Sequence, residues 1–294
     1  MRPLNLCCVT DGKPGHRTQL AGLAQALGEL QPVVTSWLDV SADVPGPVPL
    51  PDLILAAGHR THWAGLRLKW SSKAKLVVLM KPSLPRFLFD LCVIPEHDSV
   101  APSSRVLTTR GMLNDIRPGA GADPQSGLLL LGGPSKHHGW SDSAILEQVG
   151  QLRALLPAVR WQVTTSRRTP DSLDSQLAQL ASADFAFTPF AQTDRDWLRR
   201  QMAACGVIWI TEDSASMVYE AMTAGARVGV LAVPRLGESR VSRGLDALLQ
   251  EGAVTDLEGL QAAGDMPVGA GTLDEAGRVA QYLTQWMSGA RRHQ

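Results

Sequence analysis

The chain has 294 residues, 44% of them hydrophobic, with a formal net charge of zero. That length accommodates two medium α/β domains, and the balanced charge excludes the global positive field of a nucleic-acid binder. The four cysteines, Cys7, Cys8, Cys92 and Cys205, show no C-x-x-C pair or zinc-like spacing, which excludes a disulfide scaffold and points to a reducing, cytosolic compartment.

The first apolar run, Leu4 to Val9, is too short for a signal-peptide core and leads into a polar loop. No apolar run approaches the roughly 20 residues of a spanning helix, so the sequence predicts a cytoplasmic protein. Leu4–Val9 reads as a strand, followed by a glycine-containing loop and a helix from about Gln19 to Leu30. Leu53–Ala57, Leu76–Met80 and Leu91–Ile94 read as further strands. Gly, Pro and small polar residues crowd Arg117 to Gly127, which marks a linker. A second series follows, with strands at Leu128–Leu131, Arg160–Thr165, Phe185–Thr188, Val207–Ile210 and Arg227–Leu231 and helices such as Asp142–Leu156 and Asp194–Ala204. Strand–helix alternation of this kind implies parallel sheets. The expected architecture is α/β: two Rossmann-like domains facing a cleft, over residues 1–122 and 123–294. A final helix, Leu273 to Met287, is expected to pack back on the first domain.

Ligands of open parallel sheets bind beyond the carboxyl ends of the strands, so the loops there carry the candidates. The first is Thr10-Asp11-Gly12-Lys13-Pro14-Gly15-His16. Asp11 and His16 can each take a proton, Lys13 can hold an anion, and two glycines let the backbone turn. Asp11 leads as base because it directly follows the strand; His16 is the rival, since imidazoles titrate near neutrality. The second is Gly132-Gly133-Pro134-Ser135, whose backbone N–H groups suit phosphate oxygens, though a plain tight turn reads the same way. The third, Thr164 to Pro170, sets Arg167 and Arg168 beside serine and threonine hydroxyls as an anion clamp, or as a solvated basic turn. The fourth is Thr211-Glu212-Asp213-Ser214-Ala215-Ser216-Met217-Val218-Tyr219-Glu220-Ala221. Ser214 and Ser216 sit at a helix start, where orphan N–H groups favour phosphate, and Glu220 lies about one and a half turns on, fit to accept from ribose hydroxyls. An Asp/Ser cap explains Asp213 or Ser214, but not the whole string.

Other constellations are weaker. Asp194-Arg195-Asp196 has the D-x-D form of metal-dependent transferases, but it opens a helix, where Asp is favoured anyway. His137-His138 lacks a third ligand nearby, so no metal site is expected. His97 and Asp98 close a strand and are secondary candidates for acceptor contact, or a helix cap. From Leu53 to Phe89 there is no acidic residue but seven basic ones, Arg60, Arg67, Lys69, Lys73, Lys75, Lys81 and Arg86. Trp63, Leu66 and Trp70 fall there at helical spacing. This reads as a core-facing stripe with a basic outer face, or as a peripheral contact through residues 60–75 with the inner face of a membrane.

Together these pieces resemble the mitochondrial-fission Elm family, with its bacterial relatives: DGKPGH, FDLCVIPEHD at Phe89–Asp98, LLLLGGPS, TTSRRTP and TEDSASMVYEA, in order along nearly the whole chain. The resemblance implies a GT-B-like fold, with Ser214 and Ser216 as diphosphate ligands and Glu220 as the ribose ligand. It implies a metal-independent glycosyltransferase that moves a sugar from a nucleotide-diphosphate donor to a glycan or lipid-linked acceptor, without any cofactor. Gly132, Gly133, Ser135, Ser166, Arg167, Arg168 and Asp213 join the donor site; Asp11 or His16 serves the acceptor, with Lys13, His97 and Asp98 in support. The alternatives are a nucleotide-sugar epimerase or hydrolase on the same fold, and a non-catalytic nucleotide-binding relative.

Overall fold

The computed structural model describes residues 2–41, 49–119, 122–267 and 273–291. The chain forms two compact units: unit 1 is Met1–Asp115 with Asp274–Gln294, and unit 2 is Ile116–Leu273.

Unit 1 is built on six strands, β1 (Leu4–Thr10), β2 (Val33–Asp39), β3 (Leu53–Ala57), β4 (Lys75–Leu79), β5 (Leu91–Pro95) and β6 (Val106–Thr109). They form one parallel sheet in the order β2-β1-β3-β4-β5-β6. The central strands are apolar throughout because both sheet faces are covered. On one face, Leu20, Leu23 and Leu27 of α1 (Pro14–Leu30) and Val279, Ala280 and Leu283 of α9 (Glu275–Arg291) pack with Leu6, Leu55 and Val77. On the other, Leu66 of α2 (His62–Ser72) packs with Ile54, Leu76 and Val78. α1 starts earlier than its apolar pattern suggests. Pro14 occupies the first turn, where its missing N–H costs nothing, so Gly15 and His16 are helical rather than loop residues.

Unit 2 has five strands, β7 (Asp123–Leu130), β8 (Arg160–Thr164), β9 (Phe185–Thr188), β10 (Cys205–Thr211) and β11 (Arg227–Leu231), all parallel in the order β11-β10-β7-β8-β9. Helices α3 (Asp142–Leu155), α4 (Asp171–Gln179) and α8 (Leu257–Ala263) cover one face around Trp161, Phe185 and Trp209. Helices α5 (Arg195–Ala204), α6 (Ala215–Ala224) and α7 (Arg240–Gln250) cover the other around Ile208, Ile210 and Val228. Two glycines make room for the tryptophans. A Cβ on Gly229 would sit 2.2 Å from the Trp209 ring, and one on Gly127 would sit 2.6 Å from that of Trp161.

Three expectations are corrected. The unit boundary falls at 115/116, not 122/123, because Ile116 is already buried in the core of unit 2. Most of the expected linker is ordered: β7 begins at Asp123, with Pro124 near its start, where one lost N–H is tolerated; residues 120–121 of that stretch lie outside the described residues. The stripe on α2 does not face the core, since Trp63 is 58% and Trp70 63% exposed while Leu66 is buried. The buried face is set by Gly65, whose bare Cα lets the helix close on Leu76 and Ala56.

Candidate functional site

In unit 1 the strand order reverses between β1 and β3, since α1 leads from β1 to β2 on one side while β3 lies on the other. The crevice at such a reversal is where open α/β sheets bind ligands. The loop leaving β1 holds Asp11 there, and the first turn of α1 holds His16. His16 Nδ1 lies 2.7 Å from Asp11 Oδ1, and the same oxygen accepts the Lys13 N–H at 3.3 Å. The Asp11 side chain is wholly buried, whereas His16 keeps 18% of its side chain exposed. Burial pushes the Asp11 carboxyl up, but the bonds and charge of His16 and Lys13 outweigh it and hold the carboxyl below its ordinary value. Gly58, after β3, closes the third side. Its φ of +96° suits glycine, and a Cβ there would come within 2.6 Å of His16 Nδ1 and 2.9 Å of Asp11 Oδ2. Asp11 is thus the buried partner of the pair, and His16 the one that keeps part of its ring exposed. Lys13 is exposed, with Nζ 4.0 Å from Asp11 Oδ2. His97 and Asp98 lie half-buried in the short turn Glu96–Asp98 after β5, away from the reversal.

In unit 2 the order reverses between β7 and β10. Three of the candidate loops converge there. The Gly132 N–H donates to Thr211 Oγ1 at 2.7 Å and the Gly133 N–H to Asp213 Oδ2 at 3.2 Å. Arg168 reaches in from the β8 loop, donating to Gly133 O at 2.7 Å, Asp213 Oδ2 at 2.5 Å and Ser214 Oγ at 3.2 Å. The Thr169 hydroxyl donates to Gly132 O. Only glycines fit: a Cβ at 132 would meet Asp213 Oδ2 at 2.2 Å, and one at 133 would meet Arg168 O at 2.3 Å. The two arginines therefore divide. Arg168 is committed to the buried Asp213 carboxylate, while Arg167 is exposed and makes no ion pair among the described residues. Asp213 holds the cradle together; a carboxylate has no proton to give a phosphate. Ser135 accepts from the His137 and His138 N–H groups, and Ser166 from that of Arg168, so both hydroxyls serve their own turns. Ser214 is buried beside Asp213, and Ser216 is exposed on the first turn of α6.

Beside this cradle lies a cavity of about 250 Å³, lined by Leu131, Thr164, Phe190, Arg195, Trp197 and Met217 among others. Its walls are largely apolar, yet Thr164 Oγ1 is buried there without a hydrogen-bond partner among the described residues. Glu220 is 7% exposed, and its Oε2 accepts from Arg195 at 2.8 Å, which ties it to the cavity rim. Asp194 caps α5 by accepting the Trp197 N–H at 2.6 Å, and Asp196 pairs with Arg199 at 2.8 Å, so this D-x-D serves its helix. Gly58 and Arg195 were not read from sequence as site residues, and Thr164, Thr169 and Thr211 were read only as members of their loops. A glycine directly after an apolar strand was a readable signal for Gly58; the others show their part only once distant strands are paired. The cysteines are buried, and burial raises their thiols, Cys92 and Cys205 to about 11, which makes them poor nucleophiles.

Two parallel α/β units, each with polar groups gathered where its strand order reverses, define a GT-B-like fold. Similar solved structures include a protein of Listeria monocytogenes assigned as a UDP-N-acetylglucosamine 2-epimerase (TM-score 0.65, 11% identity, covering 100% of this chain and 98% of that one). They also include the glycosyltransferase SnogD from Streptomyces nogalater (TM-score 0.51, 16% identity, covering 98% and 96%). The chain belongs to the family described as Mitochondrial fission ELM1, whose sequence profile matches residues 14–287. An uncharacterized protein of Rickettsia prowazekii is 21% identical over 84% of this chain and 89% of its own.

Proposed function

We propose that the protein binds a nucleotide-diphosphate sugar on unit 2 and transfers the sugar to a hydroxyl acceptor. The observation that carries this reading is the Gly132–Gly133, Arg168 and Thr211–Ser216 junction at the reversal of the second sheet, next to an apolar cavity with an unpartnered hydroxyl. The base would enter the cavity and satisfy Thr164 Oγ1; the ribose would meet Glu220; and the diphosphate would lie against Ser214, Ser216 and the free Arg167. The similarity to a glycosyltransferase and to a protein assigned to UDP-sugar chemistry agrees with a donor of this class.

In the transfer, the sugar–diphosphate C–O bond breaks and the leaving oxygen gains negative charge, which N–H groups at the α6 start and Arg167 would stabilise. The acceptor hydroxyl forms the new C–O bond and gives its proton to the imidazole of His16, oriented by Asp11. A glycan or lipid-linked hydroxyl fits this role. The reading assigns no metal and no cofactor to the reaction, because the diphosphate charge has cationic and N–H partners in the protein; activity should survive EDTA.

Titration of the protein with UDP, other nucleoside diphosphates and their sugars, followed by thermal shift and calorimetry, tests the donor site. The Thr164→Val variant should weaken nucleotide binding about tenfold while leaving inorganic pyrophosphate binding unchanged. Failure of every nucleotide to bind would sink the proposal. Nucleotide release into water that no acceptor accelerates would assign hydrolysis or epimerisation instead.

A further inference from the structure

Unit 1 carries a second feature that the Asp11–His16 site does not use. On α2, Trp63, Arg67 and Trp70 follow the i, i+4, i+7 spacing of a single helix face, and all three are exposed. The neighbouring turn Arg86–Leu88 adds Phe87, 69% exposed, and Arg86. The two elements form one surface. Lys69 Nζ donates to Leu88 O at 3.2 Å, the His62 ring lies 5.3 Å from that of Phe89, and Ser83 Oγ is 3.3 Å from His62 Nδ1. Arg105 fixes the turn by donating to Phe87 O at 2.7 Å. A groove of about 720 Å³ opens there, lined by Lys81, Arg86, Phe87 and Arg105 with Ser99, Ser103 and Ser104 among others.

The charge on this surface has one sign. Arg60, Arg67, Lys73, Lys81 and Arg86 are exposed and have no ion-pair partner among the described residues. No acidic residue occurs between Leu53 and Phe89, and the next one, Asp90, is held by Lys69 at 2.9 Å and Lys75 at 3.7 Å. Bulky rings left in water beside uncompensated cations mark a contact surface. Indoles flanked by basic side chains match the headgroup layer of an anionic bilayer, where the ring meets the acyl boundary and the cation meets phosphate. A symmetric contact between two copies would set these cations against each other with no acid from the segment to compensate.

We infer that this face of unit 1, formed by Trp63, Arg67, Trp70, Arg86 and Phe87, docks peripherally on an anionic phospholipid surface. α2 keeps its other side on the sheet through Gly65 and Leu66, so the face meets the bilayer as part of the folded unit, without unfolding. The inference does not rest on the sugar-transfer reading and stands or falls separately.

The test is sedimentation of the full chain with vesicles of equal parts phosphatidylglycerol and phosphatidylcholine, against pure phosphatidylcholine. Binding is expected to the first at low salt, to weaken as salt rises, and to be absent from the second. Trp63→Ser with Trp70→Ser, and separately Arg67→Glu with Lys73→Glu, should each weaken partitioning at least about tenfold with the melting temperature unchanged. Wild-type tryptophan fluorescence should be quenched by brominated acyl chains, a readout that needs no variant. Wild-type protein that ignores anionic vesicles, or variants that bind like wild type, would overturn the inference. Self-association without lipid that the tryptophan changes abolish would give the face to a second copy, and preference for an acidic protein over vesicles would give it to that partner; both overturn it too.

Discussion

Asp11 in unit 1 and Asp213 in unit 2 both lie just beyond the end of a strand at a reversal of strand order, each with its side chain out of solvent. Among the described residues, each also keeps one oxygen without a hydrogen-bond partner, Oδ2 of Asp11 and Oδ1 of Asp213. Their counterparts differ. Asp11 pairs with an imidazole, whose ring nitrogens can donate or accept, whereas Asp213 pairs with a guanidinium, which only donates. The same fold element thus supports a pair suited to proton movement in one unit and a fixed charge pair that shapes a glycine cradle in the other. The expected division of labour follows: unit 1 variants should alter turnover, and unit 2 variants should alter donor affinity and stability.

The largest effect expected is on turnover. His16→Ala should lower the transfer rate by about 10²–10⁴-fold, the usual worth of general acid–base catalysis, with nucleotide affinity unchanged. Asp11→Asn should cost less, because the ring remains and only its orientation and tautomer are loosened. Turnover and nucleotide affinity measured on both variants check this. A greater loss in Asp11→Asn would make the carboxylate itself the base, and loss of nucleotide affinity in either variant would erase the contrast between the units.

Next is the fixed pair. Arg168→Ala leaves the Asp213 carboxylate buried without its guanidinium, while Arg167→Ala removes a solvated cation. The first should lower unfolding stability by at most about 3 kcal/mol, the low end for a broken buried pair, because the Arg168 side chain is 38% exposed. The second should leave stability within about 0.5 kcal/mol while weakening binding of nucleoside diphosphate. Chemical denaturation of the two variants separates them; equal stability would mean that Asp213 does not depend on Arg168.

A smaller effect is expected at Ser216, which is exposed and unengaged, compared with Ser214, already bonded to Arg168 and Asp213. Ser216→Ala should weaken diphosphate binding by about 1.5 kcal/mol, the lower end for a bond to a charged oxygen, without a change in melting temperature. Calorimetric titration with a nucleoside diphosphate reads this directly, and unchanged affinity would move the phosphates away from the α6 start.

How much of this was legible in the sequence depended on the range of the interaction. The central strands were readable because burial on both faces makes them apolar throughout, as in Leu53–Ala57. Strands β2 and β6 were not, since both are sheet edges: Val33–Asp39 is only partly buried, and Val106–Thr109 is four residues long. The first half of β7, Asp-Pro-Gln-Ser-Gly, has loop composition and becomes a strand by pairing with β8 and β10, with Gly127 leaving room for Trp161. In the site, the residue types could be read but not their pairings. Asp11 and His16 are five residues apart, and their proximity was visible; Arg168 and Asp213 are 45 apart, and nothing local shows that one neutralises the other. Gly58 is likewise brought to His16 only by the pairing of β1 with β3.

The smallest effect expected is on the acid limb of stability, and it bears on unit 1. The Asp11 carboxyl is pushed up by burial but held, on balance, below its ordinary value by His16 and Lys13. A carboxyl whose folded-state pKa is depressed contributes stability that is fully present above its unfolded-state value of about 3.9. That contribution is lost as pH falls through the lower folded-state value, because protonation removes the charge that His16 and the Lys13 N–H engage. Asp11→Asn has no such titration. The stability difference between wild type and this variant should therefore shrink as pH falls below about 5. Urea denaturation at a series of pH values measures it. A difference that stays constant through the acid range would mean that the Asp11 carboxylate is not stabilised by its partners, and the buried orienting role assigned to it would fail.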